Sequence, residues 1–475
     1  MDLEPVGTLV KRARAELASE FAGKTLRLSR APGRLDVMGG IADYTGSLVC
    51  EATLGCAASV AMTLRNDAHV QVFSFNNYDE QQPFTVRIPI EALANCTIDQ
   101  LRSEFAEPGR RWSGYVAGCL AILREQGYVD LKDVGGFNIA LLSTVPIGGG
   151  VSSSAALEVA TMMNFVEHFG IRDQMAAMHF SALCQMVENR VVGAPCGIMD
   201  QATSCAGEEG ALMRMLCQPH ELKQPLYLPR GIRAMGINSN VKHSVGGGAY
   251  GKTRCAAFMG HKMILDAMVQ SGSAPAATLA GDPLKGYLAN LEASIYNRDF
   301  RESLPGQMLG SDFIAKHGQT LDTATKVDPA ARYHVRAATD HHVYEAGRVK
   351  AFAEALEHAG GDSASPAERE RLLRKAGELM YASHLSYTDN ALLGADECDL
   401  LVNLVRENES AGLYGAKITG GGSGGTVAVL AEDSAVADAA LKRIMEEYET
   451  TTGCFAHQFY ASSPGAWAVG TTLQT

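Results

Sequence analysis

The stretch with the most chemical information is PIGGGVSSSAALEVA, residues 146–160, in which three glycines and three serines flank one valine. Glycine permits backbone torsions that other residues resist, and apolar residues at helical spacing after the serines predict a helix. The first turn of a helix offers unpaired N–H groups, and serine hydroxyls there can bind phosphate or Mg²⁺. An ordinary turn needs only one serine as its helix cap. The pattern therefore indicates a phosphate-binding loop.

Two other glycine-rich stretches compete for that role. GGGAYGKT, residues 246–253, fits the Walker pattern with Lys252, but NSNVKHSV lies between it and the preceding predicted strand, whereas a Walker loop follows its strand directly. GGGSGG, residues 420–425, fits the dinucleotide pattern but leads into a predicted strand instead of a helix. A P-loop NTPase using Lys252 stays an alternative. Residues 420–425 could instead let the backbone approach another ligand or chain segment.

The predicted elements put the 146–160 loop between a strand and a helix that Gly170 ends. Further helices are predicted over 6–22, 112–127, 178–192, 333–358, 366–381 and 434–449. Strands are predicted over 25–30, 48–64, 69–75, 137–145, 210–216, 231–238 and 454–461. Periodicity is weak over 271–330, so we expect an insertion or a loop-rich helical lobe there.

The chain has 475 residues, too many for one ordinary hydrophobic core, so we expect two domains, residues 1–230 and 231–475. Its net charge of −12 argues against nucleic acid or an anionic membrane as the main partner. The 11 cysteines include no C-x-x-C pair and indicate free thiols in a reducing cytoplasm. We find neither a signal-peptide core nor an apolar run of about 18 residues, so a cytoplasmic protein is expected.

Three sequence blocks together resemble the superfamily of galactokinase, homoserine kinase, mevalonate kinase and phosphomevalonate kinase. They are APGRLDVMGGIADYTGS (31–47), VPIGGGVSSSAAL (145–157) and KITGGGSGGT (417–426). Between them, ENRVVGAPCGIMDQ (188–201) and NSNVKH (238–243) resemble galactokinase in particular. The resemblance implies a two-lobed α+β fold with the active site in the cleft between the domains, and ATP and Mg²⁺ as cofactors.

The same resemblance assigns roles at the nucleotide end of that cleft. It places the nucleotide against Gly148, Gly149, Gly150, Ser152, Ser153, Ser154, Gly421 and Gly422. It makes Ser154 and Glu188 the ligands of Mg²⁺. Taken alone, Glu188 would be interpreted as part of a solvated helix face.

At the acceptor end, the resemblance sets Asp200 beside the anomeric hydroxyl of a sugar and Arg34 between Asp200 and the transferring phosphoryl group. Asp43, Gly197 and Tyr250 would contact the sugar. These roles suit the chemistry, because a carboxylate can take the hydroxyl proton and an arginine offsets phosphoryl charge. Without the motif, Asp200 would be interpreted as a surface or capping carboxylate and Arg34 as half of a salt bridge.

The sequence departs from the galactokinase pattern Gly-Glu-His-Thr-Asp-Tyr, because Gly40 and Ile41 replace the glutamate and histidine while Asp43 is retained. Those two side chains are associated with holding the sugar, including the C6 end of galactose. The blocks MGGIADYTGS and GGGSGGT instead resemble the arabinokinases. We therefore predict a sugar 1-kinase acting on L-arabinose. A galactokinase acting on D-galactose and a catalytically inactive sugar-sensing paralogue are the alternatives, and the oligomeric state is left open.

Overall fold

The computed structural model describes residues 4–132, 134–194, 196–241, 248–361, 363–460 and 462–475. The strands are β1 Leu26–Met38, β2 Leu48–Arg65, β3 His69–Ser74, β4 Thr85–Pro89, β5 Gly136–Ser143, β6 Ala211–Leu216, β7 Glu221–Leu222, β8 Leu226–Tyr227, β9 Ile232–Asn238, β10 Met308–Leu309, β11 Arg332–Tyr333, β12 Leu413–Ile418, β13 Thr426–Glu432, β14 His457–Phe459 and β15 Thr471–Gln474. The helices are α1 Val6–Glu16, α2 Ala18–Phe21, α3 Phe75–Asp79, α4 Ile90–Asn95, α5 Ile98–Phe105, α6 Arg111–Glu125, α7 Ser153–His168, α8 Ala177–Met186, α9 Met199–Ala206, α10 Ala249–Gln270, α11 Ala293–Ile295, α12 Gly310–His317, α13 Val335–Ala359, α14 Pro366–Asp389, α15 Asp396–Glu407, α16 Ala435–Thr452 and α17 Ala466–Val469.

The larger sheet has nine strands, six of them in the order β15-β1-β2-β5-β3-β4, while β6 pairs with β2, β7 and β8. All these pairs are antiparallel except β3 with β5. Alternate residues of β2 enter different cores: Val60 and Met62 pack with α5 to α8, whereas Ala61 packs with α1. Helices therefore cover both faces at this point, which explains why β2 is apolar along most of its length.

The smaller sheet has four antiparallel strands in the order β12-β13-β9-β14. Apolar residues of these strands form a core with α14, α15 and α16. Chain order does not separate the two sheets cleanly, because β15 returns to pair with β1. The fold is a mixture of helices and antiparallel-rich sheets, as the α+β prediction requires. The division at residues 230 and 231 stays a prediction.

Residues 271–330 contain only short helices and one two-residue strand, β10, in agreement with the expected loop-rich helical lobe. Their apolar side chains form small cores against the long helices α10 and α13. The sequence analysis did not predict α10, because its small residues are buried on nearly all sides and give little amphipathic contrast. Among the described helices, none is both long and apolar enough to cross a membrane.

Candidate active site

One pocket gathers residues from both halves of the chain. Its lining consists of Arg34, Gly40, Ile41, Asp43, Gly148, Gly150, Ser152, Ser153, Ser154, Glu188, Ala194, Cys196, Gly197, Met199, Asp200, Tyr250, Gly420 and Gly421. Twelve of the fourteen residues that the sequence predicted for the site are in this lining, and Gly149 and Gly422 are the two exceptions. Residues far apart in sequence are thus brought to one surface, and their binding and catalytic roles stay predictions.

The predicted phosphate loop turns sharply into helix α7, which begins at Ser153. Gly148 and Gly150 have φ angles of +74° and +71°, which glycine adopts easily, and Ser152 also has a positive φ of +62°. The Ser152 hydroxyl is buried and has no hydrogen-bond partner within the described residues. A strained residue with a free hydroxyl at a helix N-terminus suits an anionic ligand better than a purely structural turn.

The glycines at 420–425 support the phosphate loop through close backbone contact. A Cβ at Gly420 would lie 2.8 Å from the carbonyl oxygen of Gly150, and one at Gly425 would lie 2.7 Å from that of Gly149. The Thr426 hydroxyl also donates to the Gly149 carbonyl over 2.7 Å. The stretch leads into β13 and not into a helix, so it is not a dinucleotide motif.

Gly149 and Gly422 are buried and do not line the pocket. The Gly149 carbonyl faces Thr426, and a Cβ at Gly422 would lie 2.4 Å from the Leu393 carbonyl oxygen. The geometry gives both glycines a packing role. Contact of either with the nucleotide stays a prediction.

Arg34 and Asp200 form the charged centre of the pocket. The Arg34 Nε and Nη2 atoms donate to Asp200 Oδ1 over 3.0 and 2.5 Å, and Nη1 donates to the Gly150 carbonyl over 3.3 Å. Arg34 is only 2% exposed, whereas the Asp200 side chain is 22% exposed and lies in the first turn of α9. The arginine therefore connects the carboxylate to the phosphate loop, and the carboxylate faces the ligand space.

A second carboxylate, Glu51, lies behind Arg34. Its Oε2 is 3.4 Å from Arg34 Nε, its side chain is fully buried, and its oxygens accept no hydrogen bond within the described part of the chain. Burial and the nearby Asp36 raise the pKa of Glu51 well above its usual range, while Arg34 opposes that shift. The sequence analysis missed Glu51, although a lone acid in the apolar strand 48–64 was an available signal.

Glu188 lies in a single π-helical turn, Val187–Val192, that extends α8. Burial, followed by repulsion from Asp200, raises its pKa to about 7, and hydrogen bonds from Ser154, Cys196 and Gln201 oppose the shift. Gln201 Nε2 donates to Glu188 over 2.8 Å. The sequence analysis missed Gln201 as a support, although it directly follows Asp200 in the CGIMDQ block.

The donor set at this point fits Mg²⁺. Hydroxyl and carboxylate oxygens are its preferred ligands, and it usually takes one or two from the protein and the rest from water and nucleotide phosphates. Within the described residues, no three His, Cys, Asp or Glu side chains are arranged to hold an ion. Ser154 and Glu188 beside the phosphate loop are therefore suited to an ion that arrives with a nucleotide.

The other end of the pocket is lined by Asp43, Gly197 and Tyr250. Asp43 is 5% exposed, and its Oδ1 has no hydrogen-bond partner within the described residues. Burial, then repulsion from Asp200, raises its pKa to about 7. A Cβ at Gly197 would lie 1.4 Å from Asp43 Oδ2, so only glycine leaves room for this carboxylate. An unpartnered buried acceptor facing a pocket is suited to a ligand hydroxyl.

The Walker-like alternative receives no support from the position of Lys252. Its side chain is exposed on α10 and is not among the residues that line the pocket. Gly246 and Gly247 of that motif lie outside the described residues, as do Lys242 and His243 of the NSNVKH block and Pro195 of the CGIMDQ region.

Comparison with known proteins decides the family. The chain matches the GHMP kinases N terminal domain over residues 114–208 and the GHMP kinases C terminal domain over residues 364–450. It is 31% identical to a galactokinase of Chloroflexus aurantiacus over 91% of this chain and 90% of that protein. The chain is a member of the GHMP kinase family. It is thus an enzyme of the kinase class, as predicted from the three blocks.

A further relative and two solved structures are also similar to this GHMP kinase. It is 36% identical to an L-arabinokinase of Arabidopsis thaliana over 93% of this chain, but the match spans only 46% of that relative. A structure of the galactokinase of Lactococcus lactis complexed with galactose matches with a TM-score of 0.71 at 23% identity, covering 98% of both chains. A mevalonate kinase matches with a TM-score of 0.52 at 12% identity, over 92% of this chain and 99% of that one. These structural matches confirm the predicted fold.

Proposed function

We propose that this GHMP kinase transfers the γ-phosphoryl group of ATP to the anomeric hydroxyl of a free monosaccharide, with L-arabinose as the preferred acceptor. The relatives support a sugar kinase of the galactokinase and arabinokinase type. The observation that carries the proposal is the Arg34 guanidinium, which contacts the Asp200 carboxylate and the Gly150 carbonyl of the phosphate loop. An acceptor hydroxyl at Asp200 would then lie beside a phosphoryl group held at the loop.

The proposed reaction needs positioning and charge neutralisation more than covalent chemistry. Asp200 accepts the proton of the sugar hydroxyl as the oxygen attacks the phosphorus atom. Arg34 pairs with the Asp200 carboxylate and offsets the negative charge on the phosphoryl oxygens. Ser154 and Glu188 would hold Mg²⁺, which neutralises charge on the nucleotide phosphates when bound.

The proposed sugar end uses Asp43 and Tyr250 to bind ring hydroxyls. L-arabinopyranose shares the ring hydroxyl arrangement of D-galactopyranose but lacks its C6 hydroxymethyl group. Gly40 has no side chain and that of Ile41 cannot form hydrogen bonds, so neither offers a side-chain partner to that group. A hydroxyl buried without a partner weakens binding, and this favours the smaller sugar.

The test is ADP release by the purified chain with MgATP and a panel of free sugars, followed by ³¹P and ¹H NMR of the product. We expect turnover with L-arabinose and a phosphate on C1. The ion pair of Arg34 and Asp200 favours this over the inactive sugar-sensing alternative. That alternative would replace the proposal if sugars bound to the protein but no ADP formed.

The 11 cysteines, all free thiols, support the proposed cytoplasmic location.

A further inference from the structure

Gly40 lies where the sugar end of the pocket meets helix α14. A Cβ built on Gly40 would lie 1.6 Å from Tyr387 Oη, 2.8 Å from Tyr387 Cζ and 2.9 Å from Asp36 Oδ2. Real Cβ atoms do not approach other heavy atoms so closely, so the site excludes every residue except glycine while Tyr387 is present. The glycine is therefore required by lack of space.

Tyr387 cannot readily move away, because both functions of its hydroxyl are used. It is fully buried on α14, accepts a hydrogen bond from the Ile41 N–H over 3.0 Å, and donates one to the Gly420 carbonyl over 2.9 Å. Ile41 and Gly420 both line the pocket, whereas Tyr387 does not. One buried hydroxyl thus joins two stretches of pocket wall that lie far apart in sequence.

A buried ion pair reinforces the same junction. Lys417 Nζ lies 2.6 Å from Asp36 Oδ2, and both side chains are fully buried. Asp36 also accepts hydrogen bonds from the Gly40 N–H over 3.0 Å and from the Gly420 N–H over 3.2 Å. Breaking this pair would leave a buried charge without its counterpart, which is strongly destabilising. The network therefore holds Gly40 and Gly420 in place.

The geometry points to Tyr387 as a positioning residue that determines sugar specificity, because its hydroxyl occupies the space of a side chain at position 40. The inference rests on the proposed sugar 1-kinase activity. Tyr387 excludes a side chain at position 40, so the wall there offers no polar group, and this wall favours an acceptor without a C6 hydroxymethyl group. The specificity therefore cannot be changed at position 40 alone.

The first test is a double-mutant cycle with Gly40→Ala and Tyr387→Ala, read by kcat/KM for L-arabinose and by the melting temperature. In the wild-type background we expect Gly40→Ala to lower kcat/KM about 10- to 100-fold, because it overpacks a closed site. In the Tyr387→Ala background the same change should alter kcat/KM by no more than about 3-fold, because the contacts with the tyrosine are removed and only the 2.9 Å approach to Asp36 Oδ2 remains. Equal losses in both backgrounds would overturn the inference.

The second test concerns specificity. Gly40→Glu alone should lose activity with both sugars, whereas Gly40→Glu combined with Tyr387→Ala should raise the ratio of D-galactose to L-arabinose kcat/KM by at least about 5-fold over wild type. An unchanged ratio in a folded double variant contradicts the inference. If the double variant does not fold, Tyr387→Phe decides, because it keeps the ring and removes only the two hydrogen bonds.

For Tyr387→Phe we expect sugar KM to rise at least about 3-fold while the KM for ATP stays within about 2-fold of wild type. Tyr381→Phe is the matched control, since Tyr381 is another buried tyrosine of α14 that does not line the pocket. An unchanged sugar KM in Tyr387→Phe overturns the inference. If the wild type phosphorylates neither sugar, the proposed function fails. The melting temperatures of the four proteins in the cycle then still test whether Gly40→Ala destabilises the protein only when Tyr387 is present.

Discussion

The two ends of the pocket are built in different ways. At the proposed phosphate end, one continuous segment, Gly148–Ser154, includes the start of helix α7 and supplies the serine hydroxyls, with charged side chains close by. At the sugar end, short segments meet, and buried contacts between residues hundreds of positions apart hold them, such as Tyr387 with Ile41. The comparison leads us to expect that phosphate binding depends mainly on one local segment, whereas the charged centre and sugar choice depend on long-range packing.

The largest effect should come from the charged centre that both ends share. Asp200→Ala and its isosteric partner Asp200→Asn should lower turnover about 10²- to 10⁴-fold with every sugar, because the hydroxyl loses its proton acceptor. Binding of ATP, measured by calorimetry, should remain. Either variant retaining more than about a tenth of wild-type turnover would contradict the role of Asp200 as the base.

The next largest effect should come from substitutions at the phosphate end, which should impair use of the nucleotide and not binding of the sugar. Ser154→Ala and Glu188→Ala should each lower Mg²⁺-dependent turnover at least about 10-fold, because each removes an oxygen suited to the ion. Lys252→Ala is the comparison variant from the Walker-like stretch and should change turnover by less than about 3-fold, since its side chain is exposed outside the pocket.

The outcome is read from turnover at increasing Mg²⁺ and from ATP affinity on the same preparations. If Lys252→Ala abolished ATP binding and Ser154→Ala did not, the assignment of the phosphate site to residues 146–160 would be wrong. Such a result would also remove the contrast between the two ends of the pocket.

The sugar end should show its difference in substrate preference. We expect kcat/KM at saturating MgATP to favour L-arabinose over D-galactose by about 5- to 150-fold, because the C6 hydroxyl would be buried without a side-chain partner. Both sugars are measured on one preparation. A preference for D-galactose would assign the chain to galactokinase activity and leave the fold and the charged centre unchanged.

The smallest effect is a pH dependence of stability that the buried carboxylates cause. Glu188 has a pKa of about 7, above its value in the unfolded chain, so the folded protein binds more protons between about pH 4.5 and 7. Its contribution to the free energy of unfolding therefore falls as pH rises through this window. Asp43, whose pKa is also about 7, contributes in the same direction.

Urea unfolding of the ligand-free wild type and of Glu188→Gln, from pH 5 to 8, isolates this contribution. The free energy of unfolding of the variant minus that of the wild type should rise by about 1–3 kcal/mol from pH 5 to 8. The wild type loses the contribution of Glu188 as this carboxyl ionises, whereas glutamine cannot ionise. A difference that stays constant with pH would show that Glu188 is already ionised in the folded protein at pH 5.

Prediction from sequence succeeded where one segment carries its own signal. The predicted strand 48–64 is observed as Leu48–Arg65, and the predicted helix 112–127 as Arg111–Glu125, because apolar residues recur there at a regular period. The helices α10 and α15 were not predicted. Burial on nearly all sides conceals α10, whereas α15 has a strongly amphipathic pattern that the sequence analysis did not use.

The sequence by itself determined the family blocks and predicted the phosphate loop and the residues most suited to transfer chemistry, because these signals lie within short stretches of chain. Only the tertiary structure decided why Gly40 is a glycine, why Asp43 requires Gly197, and what the 420–425 glycines contact. Each answer depends on the distance between atoms of residues far apart in sequence. Such distances are fixed by how the sheets and helices pack, and no local pattern of residue types contains them.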